Sequence, residues 1–129
     1  MASDEEHVEI VRRFCDAWSD LDLDALMAFF TDDAVYHNIP IAPVAGRAAI
    51  RATIESFTGG AERIEFRLLA AAANGPLVFT ERVDVFTLPG VTVELPVAGV
   101  FELRDGLIAA WRDYFDLNQF TSQLPSGAG

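Results

Sequence analysis

Turn dipeptides divide the second half of the chain into runs of similar length, and this punctuation constrains the fold more than any other feature. The dipeptides are Asn74-Gly75, Pro89-Gly90 and Asp105-Gly106, and the runs between them are about a dozen residues long. Asn-Gly and Asp-Gly are the strongest short-range hairpin signals. Over residues 63–68, apolar and charged residues alternate with the period of a half-buried strand. The second half is therefore predicted to be an antiparallel β-meander.

The first half has the periodicity of helices. A capping box at residues 3–6 starts the first helix, and Asp22 caps a second helix that ends at Phe30. The third helix is predicted over about residues 47–57, after a short extended piece at residues 34–39. Helices followed by a long meander indicate an α+β fold, with three N-terminal helices packed on one face of a mainly antiparallel sheet.

Composition and charge limit the partners of such a fold. The chain has 129 residues, of which 51% are hydrophobic, and we expect one compact domain over residues 1–129 with a flexible tail from about residue 125. The net charge of −11 disfavours phosphate backbones and anionic membrane surfaces as partners. Cys15 has no second cysteine to pair with. No basic-flanked apolar run opens the chain, so a cytoplasmic protein is expected.

Strand parity turns charged side chains toward an apolar interior. Arg82 and Asp84 share one face of the predicted strand 77–88, and Asp113 lies on the corresponding face of the last strand. The other residues predicted on these faces are mostly apolar: Val78, Thr80, Phe86, Leu107, Ala109, Trp111 and Phe115. Burying an unpaired carboxylate costs several kcal/mol. Arg82 is therefore predicted to pair with the buried aspartates.

The spacing of the strands allows one arginine to reach both aspartates. In a meander, the strand at residues 91–103 lies between them, which separates the backbones of Asp84 and Asp113 by roughly 10 Å. A guanidinium has five N–H donors and can bridge two carboxylates. Ala98 and Gly99 remove side-chain bulk from the intervening strand, which would leave room for a ligand. Pro96 in the same strand indicates a bulge that shifts parity.

The short extended piece before Pro40 adds two neutral polar groups. Tyr36 and Asn38 share a face, and a phenol and an amide can both orient water. His37 points to the other face, and His7 lies on the first helical turn. Two isolated histidines lack the spacing of metal ligands, so no metal site is expected.

A set of two acids and one arginine in an apolar cleft suits the opening of an epoxide by water. Water is a weak nucleophile and the departing alkoxide is strongly basic, so the reaction needs a general base and a general acid together. Two carboxylates whose pKa values are pushed apart can fill these two roles. From the residues alone, the pair Arg82 and Asp84 is equally compatible with a structural ion pair.

Three segments then resemble the signature of the limonene-1,2-epoxide hydrolase family. They are Tyr36-His-Asn-Ile-Pro40, Arg82-Val-Asp84 and Trp111-Arg-Asp-Tyr-Phe-Asp116, and they follow the family's order across nearly the whole chain. The resemblance implies the nuclear transport factor 2-like fold, in which a strongly curved sheet is wrapped by helices into a conical pocket.

The resemblance also implies a role for each residue of the site. Asp113 is the base that activates water, Tyr36 and Asn38 hold that water, Asp84 is the acid, and Arg82 bridges the two acids. The reaction implied is a one-step hydrolysis of a lipophilic epoxide (terpenoid, cyclic or lipid) to a vicinal diol, without a cofactor and without a covalent intermediate. The residues predicted to contact the substrate come from strand parity and not from the resemblance: Val78, Phe86, Leu107, Trp111 and Phe115.

Two further expectations concern assembly and alternatives. The resemblance implies a homodimer formed through the outer sheet face, where parity predicts Ile108, Ala110 and Tyr114.

A polyketide cyclase or ketosteroid-isomerase-like enzyme could use the same fold with one carboxylate and an oxyanion donor. A non-catalytic binder of a small lipophilic ligand would need the pocket without the aspartates.

Overall fold

The fold is α+β, as predicted, and the computed structural model describes residues 2–125. The helices are α1 (Asp4–Ala17), α2 (Leu23–Met27), α3 (Arg47–Thr58) and α4 (Leu117–Thr121), with a 3-10 turn at Trp18–Asp20. The strands are β1 (Phe30–Asn38), β2 (Val44–Ala45), β3 (Arg63–Asn74), β4 (Leu77–Leu88), β5 (Val91–Arg104) and β6 (Leu107–Tyr114).

All six strands belong to one curved, unclosed sheet in the order β2-β1-β6-β5-β4-β3. Strands β3 to β6 form the predicted antiparallel meander, with hairpins at the three turn dipeptides. β1 pairs with β6 in parallel, and this pairing sets Asn38 opposite Asp113 and Tyr36 opposite Trp111. The parallel pairing of β1 thereby places Tyr36 and Asn38 beside the last strand of the meander.

Helix α1 closes one end of the inner face of the sheet. The predicted capping box is present: the Ser3 hydroxyl accepts from the Glu6 backbone N–H at 3.1 Å, and the Glu6 carboxylate accepts from the Ser3 N–H at 3.1 Å. The buried face of the helix contributes Phe14, whose ring meets Trp111 edge-on at a centroid distance of 5.0 Å. An aromatic core therefore fills this end of the sheet and leaves the other end for a cavity.

Two predicted element boundaries are wrong, and two short elements were not predicted. Helix α2 ends at Met27 and not at Phe30, and β1 begins at Phe30 rather than at residue 34. The strand includes Thr31-Asp32-Asp33, but its pairing with β6 is irregular between Phe30 and Val35. Buried and exposed positions therefore do not alternate regularly there, and the stretch lacks the sequence period of a strand. β2 and α4 are too short to produce a periodic signal and escaped prediction.

A bulge in β6 reverses the predicted facing of its first residues. Glu102 pairs with Ala110 and the next residue, Leu103, pairs with Ile108, so Ala109 is an extra residue in β6. Ile108 is consequently buried in the core, and Leu107 is 37% exposed. The predictions that Leu107 shares the face of Asp113 and that Ile108 lies on the outer face are wrong.

One further prediction about the sheet, a bulge at Pro96, is wrong. The bulge expected at Pro96 is absent, because β4 and β5 keep a continuous register through the pair Val83 and Pro96. Within residues 2–125, none of the helices is long and apolar enough to cross a membrane. The predicted tail lies outside the described residues, apart from Pro125.

Candidate active site

Arg82 lies between the two buried carboxylates and binds each of them through two hydrogen bonds. Toward Asp84, Nε donates to Oδ1 at 2.9 Å and Nη2 donates to Oδ2 at 2.8 Å. Toward Asp113, Nη1 donates to Oδ1 at 3.2 Å and Nη2 donates to Oδ2 at 2.8 Å. The fifth N–H, on Nη1, donates to Oγ1 of Thr80 at 3.3 Å. Every N–H of the guanidinium therefore has a partner.

Burial makes the charges of this cluster interact strongly. Arg82, Asp84 and Asp113 are 1%, 3% and 3% exposed, respectively. Burial raises the pKa of Asp84 from 3.8 to about 6, against the opposing influence of the Arg82 charge. Burial acts to lower the pKa of Arg82, but the two carboxylates outweigh it and raise that pKa well above its usual value. The arginine stays charged, whereas Asp84 can carry a proton near neutral pH.

Gly99 provides the space that the cluster occupies. It is paired with Thr80 on one side and with Asp113 on the other. A Cβ on Gly99 would lie 2.5 Å from Nη1 of Arg82 and 2.8 Å from Oδ1 of Asp113. The missing side chain therefore makes room for the ion cluster, and not directly for a ligand as predicted; Ala98 faces the outer side and is exposed.

Aromatic side chains pack against the cluster. The Arg82 guanidinium carbon lies 4.7 Å from the centroid of the Phe66 ring. The indole Nε1 of Trp111 donates to Oδ1 of Asp113 at 2.7 Å. The Trp111 ring is fully buried and stacks on the Tyr36 ring at 4.1 Å with an interplanar angle of 10°. The Asp113 carboxylate and the Tyr36 phenol ring therefore both contact the same indole ring.

Tyr36 and Asn38 form a second polar unit beside Asp113. The phenol Oη donates to Oδ1 of Asn38 at 3.2 Å. Burial, followed by the nearby charge of Asp113, raises the pKa of Tyr36 well above 10, so the phenol stays neutral. Because the phenol O–H donates its hydrogen bond to Asn38, the phenol oxygen can still accept one. The NH₂ group of Asn38 can still donate one.

An apolar cavity of about 340 Å³ opens in front of these groups. Its polar wall residues are Tyr36, Asn38, Ser56, Asp84 and Asp113. The rest of its wall is mainly apolar and includes Phe57, Phe66, Phe86, Leu88, Leu95, Val97, Phe115, Leu117 and Phe120. A small set of convergent polar groups in a large apolar pocket is typical of a small-molecule site.

The structure brings all five predicted polar residues to this cavity or directly behind it. Asp84, Asp113, Tyr36 and Asn38 line the wall, and Arg82 lies behind the two aspartates. Among the predicted wall residues, Phe86 and Phe115 line the cavity.

The other predicted wall residues lie elsewhere. Val78 and Trp111 are completely buried in the core, and Leu107 is on the surface. Sequence reasoning missed the Phe66 contact, the Thr80 hydrogen bond and the α4 residues Leu117 and Phe120. Parity did place Thr80 on the correct face, but α4 gave no usable signal.

Comparison with known proteins gives consistent matches. The family model described as the limonene-1,2-epoxide hydrolase catalytic domain matches residues 5–126. Epoxide hydrolase EphG of Mycobacterium tuberculosis is 35% identical over 117 residues, which cover 91% of this chain and 78% of EphG. A solved structure of an M. tuberculosis epoxide hydrolase resembling the limonene enzymes is 31% identical, with a TM-score of 0.83, and the match covers 94% of this chain and 90% of the other.

The fold is also shared with proteins of other descriptions. A polyketide cyclase-like protein of Xanthomonas campestris has a TM-score of 0.85 at 24% identity, and the match covers 95% of this chain and 98% of the other. At that identity the likeness concerns the fold and carries no information about chemistry.

Proposed function

The chain belongs to the limonene-1,2-epoxide hydrolase family, and we propose that it converts a neutral, lipophilic epoxide to a vicinal diol by direct attack of water. One observation carries this proposal: a single buried arginine bridges two carboxylates that both line an apolar cavity. A base and an acid held at fixed separation are what a one-step opening of an epoxide requires.

Asp113 is proposed to act as the base, with Tyr36 and Asn38 holding the water. The water donates one hydrogen to Asp113 and the other to the phenol oxygen of Tyr36, and it accepts a hydrogen from the Asn38 amide. One lone pair then remains for attack on an epoxide carbon. The water O–H bond breaks toward Asp113 as the new C–O bond forms.

Asp84 is proposed to act as the acid. Its pKa of about 6 keeps a usable protonated fraction near neutral pH. As the epoxide C–O bond breaks, the Asp84 proton passes to the departing oxygen. Negative charge thereby moves from Asp113 to Asp84, and Arg82 is bonded to both, so it stabilises the charge at either end. A proton returning from Asp113 to Asp84 resets the site.

The cavity wall favours an uncharged substrate. Among the described wall residues, the formal charges are those of Asp84 and Asp113, and every Arg82 N–H is already bonded to protein. No cation is left at the wall to accept a substrate carboxylate or phosphate. Aromatic and aliphatic side chains cover the remaining surface, which suits terpenoid, cyclic or lipid epoxides. The proposed reaction uses protein side chains and water, without a cofactor.

A ketosteroid-isomerase-like reaction on the same fold is less well supported. Such a reaction needs a neutral donor aimed at a developing oxyanion beside one free carboxylate. Here the phenol O–H of Tyr36 already donates a hydrogen bond to Asn38, and both carboxylates are bound to Arg82. A non-catalytic lipophile binder would not need the buried aspartates, which cost free energy to keep ionised.

We also propose that the chain forms a homodimer through the outer face of β4, β5 and β6. Phe79 and Tyr114 are each 45% exposed on that face, and the exposed Ala98 lies on the strand between them. Contiguous exposed apolar groups typically mark an interaction surface.

The function is tested by incubating the purified protein with a panel of cyclic, terpenoid and fatty-acid epoxides and measuring diol by mass spectrometry. We expect diol from at least one panel member, and a loss of about a hundredfold or more in Asp113→Asn and in Asp84→Asn. Asp32→Asn is the matched control, because Asp32 is exposed on β1 and does not line the cavity. Wild-type turnover by either aspartate variant contradicts the two-acid mechanism, and no diol from any epoxide contradicts the function.

A further inference from the structure

The two oxygens of Asp113 are not equivalent. Oδ1 accepts from Nε1 of Trp111 at 2.7 Å and from Nη1 of Arg82 at 3.2 Å, whereas Oδ2 accepts only from Nη2 of Arg82 at 2.8 Å among the residues that the structure describes. A carboxylate oxygen has two lone pairs for hydrogen bonds. Both are used on Oδ1, and one remains on Oδ2.

The backbone below Asp113 distinguishes the oxygens independently. A Cβ on Gly99 would lie 2.8 Å from Oδ1 of Asp113, so this oxygen lies against the β5 backbone. Asp113 nevertheless lines the cavity. The oxygen left to face a water in the cavity is therefore Oδ2.

Trp111 also contacts the residue that would hold that water. Its ring stacks on Tyr36 at 4.1 Å, and the Tyr36 hydroxyl donates to Asn38. On its other side, Trp111 stacks against Phe101 at 5.6 Å with an interplanar angle of 15°. A ring held on both sides cannot turn, so its N–H points in a fixed direction.

We propose that Trp111 is a positioning residue, whose indole N–H occupies Oδ1 of Asp113 and leaves Oδ2 as the oxygen that removes the proton from water. The proposal deepens the epoxide hydrolase function above and rests on it for the role of Asp113 as base. Trp111 itself touches neither water nor substrate, because it is completely buried in the core.

The test compares Trp111→Phe with Trp18→Phe. Both tryptophans are completely buried, and each substitution removes an indole N–H while keeping an aromatic ring. Trp18 is the matched control because its Nε1 has no hydrogen-bond partner among residues 2–125. Neither substitution changes the charged or ionisable side chains around Asp113. These include Arg82 and Asp84 of β4, Tyr36 of β1 and Cys15 of α1.

Two readouts are measured on wild type and both variants. Carboxyl ¹³C NMR at one fixed pH, with the Asp113 signal assigned through Asp113→Asn, should show that signal displaced in Trp111→Phe, because the carboxylate loses a hydrogen-bond donor. With an epoxide that the wild type hydrolyses, kcat should fall about tenfold with little change in KM. Trp18→Phe should match wild type in both readouts.

The outcomes separate this inference from the proposed function. A wild-type Asp113 signal and a wild-type kcat in Trp111→Phe overturn the positioning role, even if its melting temperature falls. An equal shift in Trp18→Phe also overturns it, because the effect is then one of packing. Absence of diol formation by the wild type overturns the proposed function and with it the base role of Oδ2, whereas the NMR comparison, which uses no substrate, still tests the Trp111 hydrogen bond to Asp113.

Discussion

Gly99 lies directly against the guanidinium of Arg82, with its missing Cβ position 2.5 Å from Nη1. The same position is 2.8 Å from Oγ1 of Thr80 and 2.8 Å from Oδ1 of Asp113. Since real side-chain carbons essentially never approach so closely, any larger residue would have to displace part of the cluster. The backbone of β5 thus determines where the buried charges can lie.

We expect Gly99→Ala to impair activity and stability together. The added methyl group must push Arg82 or Asp113 aside, and a misplacement of about 1 Å can cost about a hundredfold in rate. Overpacking of this kind costs about 1–3 kcal/mol of unfolding free energy. Steady-state kinetics and urea unfolding measure the two effects. Ala52→Ser also adds one atom, at an exposed position of α3 away from the outer sheet face, and should leave the rate unchanged and cost at most about 0.5 kcal/mol. Wild-type kinetics in Gly99→Ala would show that the cluster tolerates displacement.

Arg82→Ala should destabilise the protein by about 3–5 kcal/mol at pH 8, because Asp84 and Asp113 lose their buried counter-charge. The loss should be smaller at pH 5, where the stranded carboxylates can take up protons. Urea unfolding at both pH values measures the difference. Arg67→Ala is the control, because Arg67 forms a half-exposed ion pair with Glu65 and should cost at most about 1 kcal/mol. Equal losses at the two pH values would mean that water already screens the cluster.

The raised pKa of Asp84 predicts how activity depends on pH. An acid must be protonated to act, so kcat/KM should fall as the pH rises through about 6, by about tenfold per unit at higher pH. A rate profile over pH 4–9 measures this limb. Activity that rises steadily from pH 6 to pH 9 would exclude Asp84 as the acid.

The same pKa predicts the sign of a stability effect. Folding raises the pKa of Asp84 from 3.8 to about 6, so the folded state binds the proton more tightly than the unfolded state. Its contribution to the unfolding free energy is therefore present at low pH and is lost between about pH 4 and pH 6. The shift corresponds to about 3 kcal/mol. The difference in unfolding free energy between wild type and Asp84→Asn should fall by about this amount over that range, and a flat difference contradicts the assignment.

The face of a strand on which a residue lies could be predicted from the sequence only where the strand pairing is regular. Arg82, Asp84 and Asp113 lie in stretches where the period of two is uninterrupted, so parity turned them all inward. Leu107 and Ile108 lie beyond the extra residue Ala109, and there the same rule gave the opposite face. A bulge without glycine or proline has no clear signature in the sequence.

Other features could not be found because they depend on tertiary contacts. The role of Gly99 was visible as missing bulk, but what fills the space depends on the conformation of Arg82 on the neighbouring strand. The Trp111 hydrogen bond to Asp113 joins residues two apart on one strand, and only a fixed ring orientation makes it possible. Helix α4 has five residues, too few for a periodic pattern, yet its Phe120 packs against Phe86 at the cavity wall.

Phe79→Glu should weaken the proposed homodimer. Phe79 is half exposed on the outer sheet face, and a buried carboxylate without a partner at an interface is costly. Sedimentation velocity over a concentration series measures the dissociation. Arg12→Glu on the exposed side of α1 makes a charge change away from this face and should leave assembly unchanged. A monomeric wild type contradicts the proposal, as does an unchanged dimer in Phe79→Glu.

Single-turnover hydrolysis in ¹⁸O-labelled water should place the label in the diol and leave the protein unlabelled. Asn38 lies opposite Asp113 in the β1–β6 register, and Tyr36 lies within hydrogen-bonding distance of Asn38, so a water can be held between these side chains and the substrate. If Asp113 or Asp84 instead attacked the epoxide, water would release the resulting ester at the carboxyl carbon, and the label would enter the aspartate. Mass spectrometry of the diol and of the peptides that contain residues 84 and 113 separates the two routes. Enzyme kept in labelled water without epoxide gives the background. Label in either aspartate above that background would replace direct attack by a covalent mechanism.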